Sequence, residues 1–150
     1  MRLDENEAPT LIDHVGWRLW RLARQWKAEF DAEMIRRGYP WITEARSAVI
    51  GQLRPGGLPQ SVLTTVLGIS KQAVQQQVDE LVGEGAVERV PDPKDGRGKI
   101  VRLTRLGVAS IVEGNEVKRA IEQRYIVKIG AKKFAALDAA LDALFTEPQA

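Results

Sequence analysis

The chain has 150 residues, 44% of them hydrophobic and 28% charged, with a formal net charge of +2. This length is typical of a single globular domain, which we expect to span residues 1–150. The chain contains no cysteine and one histidine, His14. Disulfides, thiolate metal sites and cysteine nucleophiles are therefore excluded, and we expect neither a metal nor another cofactor.

The sequence gives little support to a membrane protein or an enzyme. No apolar run approaches the roughly 20 residues that cross a bilayer. The acidic N-terminus MRLDENEAPT lacks the basic start and apolar core of a secretory signal. The sequence shows no glycine-rich phosphate loop, nucleophile elbow or cluster of metal ligands. We therefore expect a cytoplasmic protein that binds no membrane and is not an enzyme.

A long helix is predicted over about residues 10–37. Gly38-Tyr39-Pro40 would end it, because glycine suits a helix C-terminus and proline disfavours helix in the preceding residue. Its apolar residues recur at spacings of three or four, which is typical of a stripe that packs against a core. They are Leu11, Val15, Leu19, Leu22, Trp26, Phe30 and Met34. A second helix is predicted from Thr43, a suitable N-cap, to about Arg54.

Two shorter helices follow, separated by a tight turn. Pro59 is well placed as the first residue of one, which would end at Gly68. Ser70 is the expected N-cap of the other, and Gly85 its expected C-cap. Two short helices joined by a glycine-containing turn form a helix-turn-helix, whose second helix can enter the major groove of DNA.

The rest of the chain predicts a β-hairpin followed by two helices. Strands are expected over residues 86–90 and 99–104, around the loop PDPKDGRG. A helix of about 25 residues capped by Thr104 and a last helix after Gly130 complete the chain. The fold class is therefore mainly α with a small β-hairpin wing, that is, a winged helix-turn-helix with further helices on both sides.

The hairpin loop and its second strand are basic. Residues 92–105 contain five basic side chains against two acidic ones, Asp92 and Asp95. The basic residues are Lys94, Arg97, Lys99, Arg102 and Arg105. A protruding basic loop is well suited to a narrow minor groove, where the negative potential of DNA is concentrated. The alternative is that Asp95 and Arg97 form a surface ion pair that shapes a turn.

These stretches resemble the MarR (multiple antibiotic resistance regulator) family of bacterial transcriptional regulators. LGISKQAVQQQVDELVGEGAVERV is similar to the family's turn, recognition helix and first wing strand. DPKDGRGKIVRLTRLG is similar to its wing, with Asp95-Gly96-Arg97 followed by Leu103-Thr104 and Gly107. The resemblance covers about residues 60–110 and implies a regulator that binds double-stranded DNA.

The resemblance implies two sets of DNA contacts. Arg97 would enter the minor groove with its guanidinium oriented by Asp95, and Lys94 and Lys99 would lie beside it. In the major groove, glutamine can pair with adenine, and serine or lysine can reach phosphates or guanine. The residues that would face this groove are Ser70, Lys71, Gln72, Gln75 and Gln76.

The recognition segment departs from the family pattern. Gly96 and Gln76 stand where basic residues are common, and Gln77 where an apolar residue is common. Residues 61–90 contain two basic side chains against four acidic ones. These are Lys71 and Arg89, and Asp79, Glu80, Glu84 and Glu88. Because phosphate attraction sets most non-specific affinity, DNA binding is expected to depend on the wing and on dimerisation more than on the recognition helix.

The resemblance also implies a homodimer. Residues 1–38 and 105–150 would form the helical dimerisation region, and residues 41–104 the winged helix-turn-helix DNA-binding lobe. The outer helices carry more apolar surface than a small winged domain can cover. A twofold dimer would match a pseudo-palindromic operator whose half-sites lie one helical turn apart. A larger monomeric core is the alternative.

Many members of the family bind a small aromatic or anionic effector between these two regions. The residues expected to contribute stacking surface and charge to such a cleft are Trp17, Arg21, Tyr39, Trp41 and Arg46. The same aromatic side chains would otherwise serve as core or interface anchors. For the function as a whole, the alternative is a winged-helix protein–protein interaction module with weak or no DNA binding, whose acidic recognition segment binds a basic partner.

Overall fold

Helices dominate the architecture, as the sequence predicts. A computed structural model describes residues 10–145, so the predicted features at residues 1–9 and 146–150 lie outside the described residues. The described helices are α1 (Val15–Arg36), α2 (Glu44–Gln52), α3 (Gln60–Leu67), α4 (Lys71–Gly83), α5 (Arg105–Ile129) and α6 (Ala131–Phe145). The strands are β1 (Leu58–Pro59), β2 (Val87–Asp92) and β3 (Asp95–Leu103). The predicted winged fold, mainly α with a small hairpin, is confirmed. Across residues 10–145, no helix combines the length and the hydropathy of a membrane span.

Local side-chain chemistry sets the helix ends. The side-chain oxygens of Thr43, Ser70 and Thr104 each accept a hydrogen bond from the backbone N–H three residues on, at 3.1–3.3 Å. Each therefore satisfies one of the free N–H groups of the first turn, as expected for an N-cap. Gly68 ends α3 in the left-handed conformation, with φ of +64°. The C-cap of α4 is Glu84 and not Gly85 as predicted; Gly85 follows it with φ of +74°.

The sheet has one strand that the sequence did not predict. Its order is β1-β3-β2, antiparallel throughout, and Leu58 and Pro59 of β1 pair with the residues at positions 101 and 100 of β3. Pro59 is thus a strand residue and the N-cap of α3, rather than the first helical residue. Strands β2 and β3 also extend further toward the hairpin tip than predicted, and Asp92 pairs with Asp95.

Two separate clusters of buried side chains form the core. The larger joins α2, α3, α4 and the sheet, and its fully buried members include Val49, Leu63, Val74, Val78, Leu81 and Val101. The smaller lies between α1 and α5 and consists of Phe30, Met34, Val117 and Ile121. The predicted apolar stripe of α1 is therefore covered only in its C-terminal part. Toward the N-terminus, Val15 is 69% exposed and Trp17 49% exposed.

The C-terminal end of α1 is joined to α5 by an ion-pair cluster. The guanidinium of Arg37 donates to Glu33 at 3.0 Å, to Glu113 at 2.6 Å and to Glu116 at 3.1 Å. Arg36 donates two further bonds to Glu33, at 2.6 and 2.9 Å. Hydrogen bonds from Arg36 first and from Arg37 next lower the pKa of Glu33 to about 2. Arg37 thus joins α1 to α5, and the charge of Glu33 helps to hold the Arg37 guanidinium in place.

The start of α5 lies directly on the chain that leaves α4. The Thr104 hydroxyl donates to the carbonyl oxygen of Gly85 at 2.6 Å. The backbone N–H of Thr104 donates to the carbonyl oxygen of Ala86 at 3.1 Å. Gly107 is buried at this contact, and a Cβ atom there would lie 2.1 Å from the Ala86 carbonyl oxygen. Only glycine permits this approach, because a backbone oxygen cannot move aside as a flexible side chain would.

We predict that Gly107→Ala destabilises the fold by about 1–3 kcal/mol, since the added methyl group forces two backbones apart. Urea unfolding measures this change. The matched control is Gly51→Ala in α2, where the added Cβ meets nothing within 4 Å. The control is expected to be neutral or to stabilise by up to about 1 kcal/mol, because alanine favours helix over glycine. Equal stability of the two variants would contradict the close approach.

A second prediction concerns pH and Glu33. Its pKa is lower in the folded protein than in the unfolded chain, so its contribution is complete above pH 4.5 and is lost as pH falls toward about 2. Wild type is therefore expected to be more stable than Glu33→Gln above pH 5, and the difference should shrink between pH 4.5 and pH 2. Urea unfolding of both proteins across this range measures it. A difference that does not depend on pH would show that the Glu33 charge plays no part.

Candidate nucleic-acid interface

The orientation of α4 is fixed by its buried face. Val74, Val78 and Leu81 have no exposed surface and pack into the larger core cluster. Because a helix turns 3.6 residues at a time, this burial forces the opposite side of α4 outward. The side chains that are exposed there are Lys71, Gln72, Gln75, Gln76 and Asp79. All of the predicted major-groove residues on α4 therefore lie on the solvent side, next to Ser70, which caps the helix.

The tip of the wing is shaped by two aspartates. Asp92 accepts a hydrogen bond from the backbone N–H of Lys94 at 2.8 Å, and Asp95 accepts one from the backbone N–H of Arg97 at 3.1 Å. These are bonds to the amide two residues on, which stabilise a turn. The expected hydrogen bond from the Arg97 guanidinium to Asp95 is not formed. Within residues 10–145, the guanidinium of Arg97 is exposed and has no partner.

A groove of about 610 Å³ lies between the wing, α4 and the N-terminal part of α3. Five of the predicted DNA-contact residues line it, namely Lys71, Gln75, Asp95, Arg97 and Lys99. Of these, Lys71, Arg97 and Lys99 form no ion pair within the described part of the chain. The remaining predicted contacts do not line the groove; they are Ser70, Gln72, Gln76 and Lys94. The groove therefore presents cations without ion pairs on both of its walls, while Asp92 and Asp95, which accept backbone N–H bonds, also line it on the wing side.

The carboxylates of α4 are neutralised by arginines from other elements. Arg89 of β2 contacts Asp79 at 2.7 Å, and Arg46 of α2 contacts Glu80 at 2.7 Å. The pKa of Asp79 is lowered by its hydrogen bond from Arg89, and that of Glu80 by its hydrogen bond from Arg46. Both groups are thus charged and paired at neutral pH. The net charge of −2 in residues 61–90 already counts Arg89, and it is compensated from outside the segment by Arg46, which pairs with Glu80, and Arg102, which pairs with Glu88.

Two of the three exposed glutamines at the start of α4 are hydrogen-bonded within the protein. Gln75 donates to Asp79 at 3.0 Å and accepts from Gln60 of α3 at 2.5 Å. Gln76 donates to Glu80 at 3.3 Å. Gln72 has no side-chain hydrogen bond within residues 10–145. The sequence did not reveal Gln60 or Arg89 as part of the site, because their contacts with α4 exist only once α3 and β2 have packed against it.

The residues predicted to form an effector cleft do not come together in one subunit. Trp17 and Arg21 lie in the N-terminal third of α1, about 28 and about 22 Å along the helix axis from its other end. Tyr39 follows that other end and meets Trp41 edge to face, with 6.0 Å between ring centres. Trp41 is a core residue that is 5% exposed, and Arg46 is held by Glu80 and by the Trp41 carbonyl oxygen.

A different cavity of about 360 Å³ lies between α1, α2 and α5. Its wall is mostly apolar, and its lining includes Phe30, Met34, Ile50, Ser110 and Lys118. It was not predicted, because each of these residues also fits an ordinary core or surface position and they lie on three separate helices. Among residues 10–145, no three histidine or acidic side chains are grouped so that they would hold a metal ion.

Comparison with known proteins connects the sequence to a family. A model of the MarR family matches residues 42–98, which reach from the start of α2 to the wing. Multiple antibiotic resistance protein MarR from Escherichia coli (strain K12) is 32% identical over 99 residues, which are 65% of this chain and 69% of that protein.

Solved structures show the same fold. The reduced form of MarR from E. coli has a TM-score of 0.75 at 24% identity, covering 91% of this chain and 100% of that one. A mutant MarR from E. coli complexed with operator DNA has a TM-score of 0.67 at 24% identity, covering 88% and 94% of the two chains. The family model and the 32% identity that extends over 69% of the E. coli protein show that the chain is a member of the MarR family.

Proposed function

We propose that this protein is a sequence-specific double-stranded DNA-binding transcriptional regulator that acts in the cytoplasm as a homodimer. The observation that carries the proposal is the groove between α4 and the wing, with unpaired cations on both walls. Lys71 stands on one side, and Arg97 and Lys99 stand on the other. Membership of the MarR family supports the same function, and the E. coli relative has been solved in complex with operator DNA.

The unpaired state of these cations favours a polyanionic partner. A side chain that already holds an internal carboxylate would have to give up that bond before contacting a phosphate. Arg97 and Lys99 have no such bond within residues 10–145, and both are exposed. Neutralising phosphates with such groups releases counterions from the duplex, which supplies a large part of the binding free energy.

The protein-interaction alternative is less well supported. It requires the acidic side chains of the recognition segment to bind a basic partner. Asp79 and Glu80 already have arginine partners at 2.7 Å, from β2 and α2 respectively. A basic partner would have to displace these arginines, whereas DNA meets Lys71 and the wing without breaking any ion pair of the described residues.

Support for the dimer comes from an apolar surface on α1, α5 and α6. A groove of about 410 Å³ between them is lined by apolar side chains that include Leu22, Trp26 and Leu141. Leu144, which is 74% exposed, also lines this groove, and Trp20 of α1 is 48% exposed. A surface of this kind is unusual for a monomer and fits a second copy of the chain. We therefore assign α1, α5 and α6 to dimerisation, and the segment from α2 to β3 to DNA binding.

The cavity between α1, α2 and α5 is the place in this chain where a small effector would act. It touches the helices assigned to dimerisation and one helix of the DNA-binding lobe. Arg54 and Lys118 line it together with Phe30 and Met34, a combination that suits a small anion with an aromatic or apolar body. Such a ligand regulates DNA binding only if it prefers one arrangement of the two regions over the other.

Arg97→Ala tests the DNA-binding proposal. Its affinity for duplex DNA is expected to fall about tenfold or more. The slope of log affinity against log salt concentration should also become shallower by about one for each wing that contacts DNA. Fluorescence anisotropy at several salt concentrations measures both quantities. Arg119→Ala is the control, because Arg119 is an exposed arginine of α5 without a partner in residues 10–145. If wild type and Arg97→Ala bind every duplex equally weakly, the proposal fails.

Sedimentation tests the dimer. Wild type is expected to sediment as a dimer at micromolar concentration, and Leu144→Glu as a monomer, because a charge would be buried in the apolar interface. Leu144 is largely exposed in the subunit, so the substitution should leave the subunit folded. Val82→Glu in α4, at a position that is 38% exposed, is the matched control and should remain dimeric. A monomeric wild type would exclude this assembly.

A further inference from the structure

Four side chains close a hydrogen-bonded ring beside the groove. Arg89 Nε donates to Gln60 Oε1 at 2.8 Å, and Gln60 Nε2 donates to Gln75 Oε1 at 2.5 Å. Gln75 Nε2 donates to both oxygens of Asp79 at 3.0 and 3.1 Å, and Asp79 Oδ1 lies 2.7 Å from Arg89 Nη1. The ring therefore links β2, α3 and α4. Three of its members, Gln60, Gln75 and Arg89, line the groove.

The chemistry of the ring fixes the direction of every bond in it. A guanidinium can only donate hydrogen bonds, and an ionised carboxylate can only accept them. Arg89 therefore forces the oxygen of Gln60 toward itself, which leaves the Gln60 amino group to face Gln75. The same logic leaves the Gln75 amino group to face Asp79. Neither carboxamide can be turned over by 180° without breaking bonds at both of its ends.

Gln75 keeps part of its hydrogen-bonding capacity for a ligand. A carboxamide has two N–H donors and two acceptor lone pairs. In the ring, one lone pair of Gln75 accepts from Gln60, and one of its N–H groups donates to Asp79. One acceptor position and one N–H remain on an exposed side chain that lines the groove. These are the two groups with which glutamine contacts the N6 and N7 atoms of adenine.

We propose that Gln75 reads an A·T base pair in a single orientation and that Gln60 is the residue that positions it. The inference rests on the proposed DNA-binding function and adds a specificity determinant to it. A free glutamine can rotate its carboxamide and offer donor and acceptor in either order. The ring holds one order, so that exchange of A·T for T·A at the contacted position places unmatched groups opposite each other.

The test begins with selection of bound duplexes from a random pool by wild type. Dissociation constants are then measured for the selected duplex and for versions in which one A·T pair of each half-site is exchanged for T·A. Wild type is expected to discriminate about tenfold at one position, and Gln75→Ala to lose that preference. In Gln60→Met the side chain keeps its length and remains uncharged, but it loses the hydrogen bonds to Arg89 and Gln75. The discrimination between A·T and T·A should then fall to about threefold or less. The affinity of Gln60→Met for unselected duplex should not change.

Two further variants separate positioning from general support. Gln60→Glu still accepts from Arg89 but cannot donate to Gln75, so its discrimination should fall as in Gln60→Met. Gln77→Met is the matched control, because Gln77 lies on the same helix outside the ring and makes no side-chain hydrogen bond within residues 10–145. It should keep the preference of wild type. Melting temperatures show that all variants are folded.

The outcomes distinguish this inference from the proposed function. Suppose that wild type selects a duplex, that its affinity depends on salt and that Arg97→Ala binds more weakly. If Gln60→Met then keeps full discrimination, the positioning role is wrong and DNA binding stands. A uniform loss of affinity in Gln60→Met with unchanged discrimination also overturns it, because that is the result of a merely structural support. If Arg97→Ala and wild type bind all duplexes alike, both the function and the inference fail.

Discussion

The burial of one face of α4 is the constraint on which the site depends. Val74, Val78 and Leu81 are completely buried, and exposing any one of them would cost about 1.5–3 kcal/mol. The helix therefore cannot rotate about its axis without a large loss of stability. Arg46 and Arg89 hold the same helix from two sides through Glu80 and Asp79. Apolar burial sets which face of α4 is exposed, and the ion pairs connect that helix to α2 and to β2.

This arrangement divides the basic residues into two groups with different tasks. Arg46, Arg89 and Arg102 form ion pairs within the subunit, the last with Glu88 at 2.6 Å. Lys71 and Arg97 stand without partners in the described part of the chain and line the groove. The sequence alone gives a single count of charges, in which an acidic recognition segment weakens DNA binding. In the fold, the acidic side chains of α4 neutralise structural arginines, and the free positive charge faces the groove.

The sequence predicted those features that depend on neighbouring residues. The N-caps at Ser70 and Thr104 and the turn at Gly68 follow from bonds within a few residues, and the outward face of α4 follows from helical periodicity. Strand β1 was not predicted, because it has only two residues and exists through pairing with β3, about 40 residues later. Asp95 was misassigned since an aspartate two residues before an arginine can bond its amide as well as its guanidinium.

The ring and the cavity could not be predicted for a related reason. Gln60, Gln75 and Arg89 are separated by 14 residues or more along the chain. No sequence pattern indicates which distant residue a surface glutamine will bond. The residues predicted for the effector cleft are aromatic and basic side chains of the flanking segments. The helix predicted over residues 10–37 already places Trp17 and Tyr39 near its opposite ends, so they do not meet within one chain. Here three-dimensional packing, and not residue type, decides which side chains meet.

Thr104 joins three elements at one point of the chain. Its hydroxyl bonds the chain just after α4, its backbone continues β3, and it caps α5. The 25 residues of α5 form a rod about 37 Å long, so a tilt of 5° about its far end displaces Thr104 by about 3 Å. The end of α4 and the base of the wing would travel with it. In the proposed dimer, a change in packing at the far end of α5 would therefore reach α4 and the wing together.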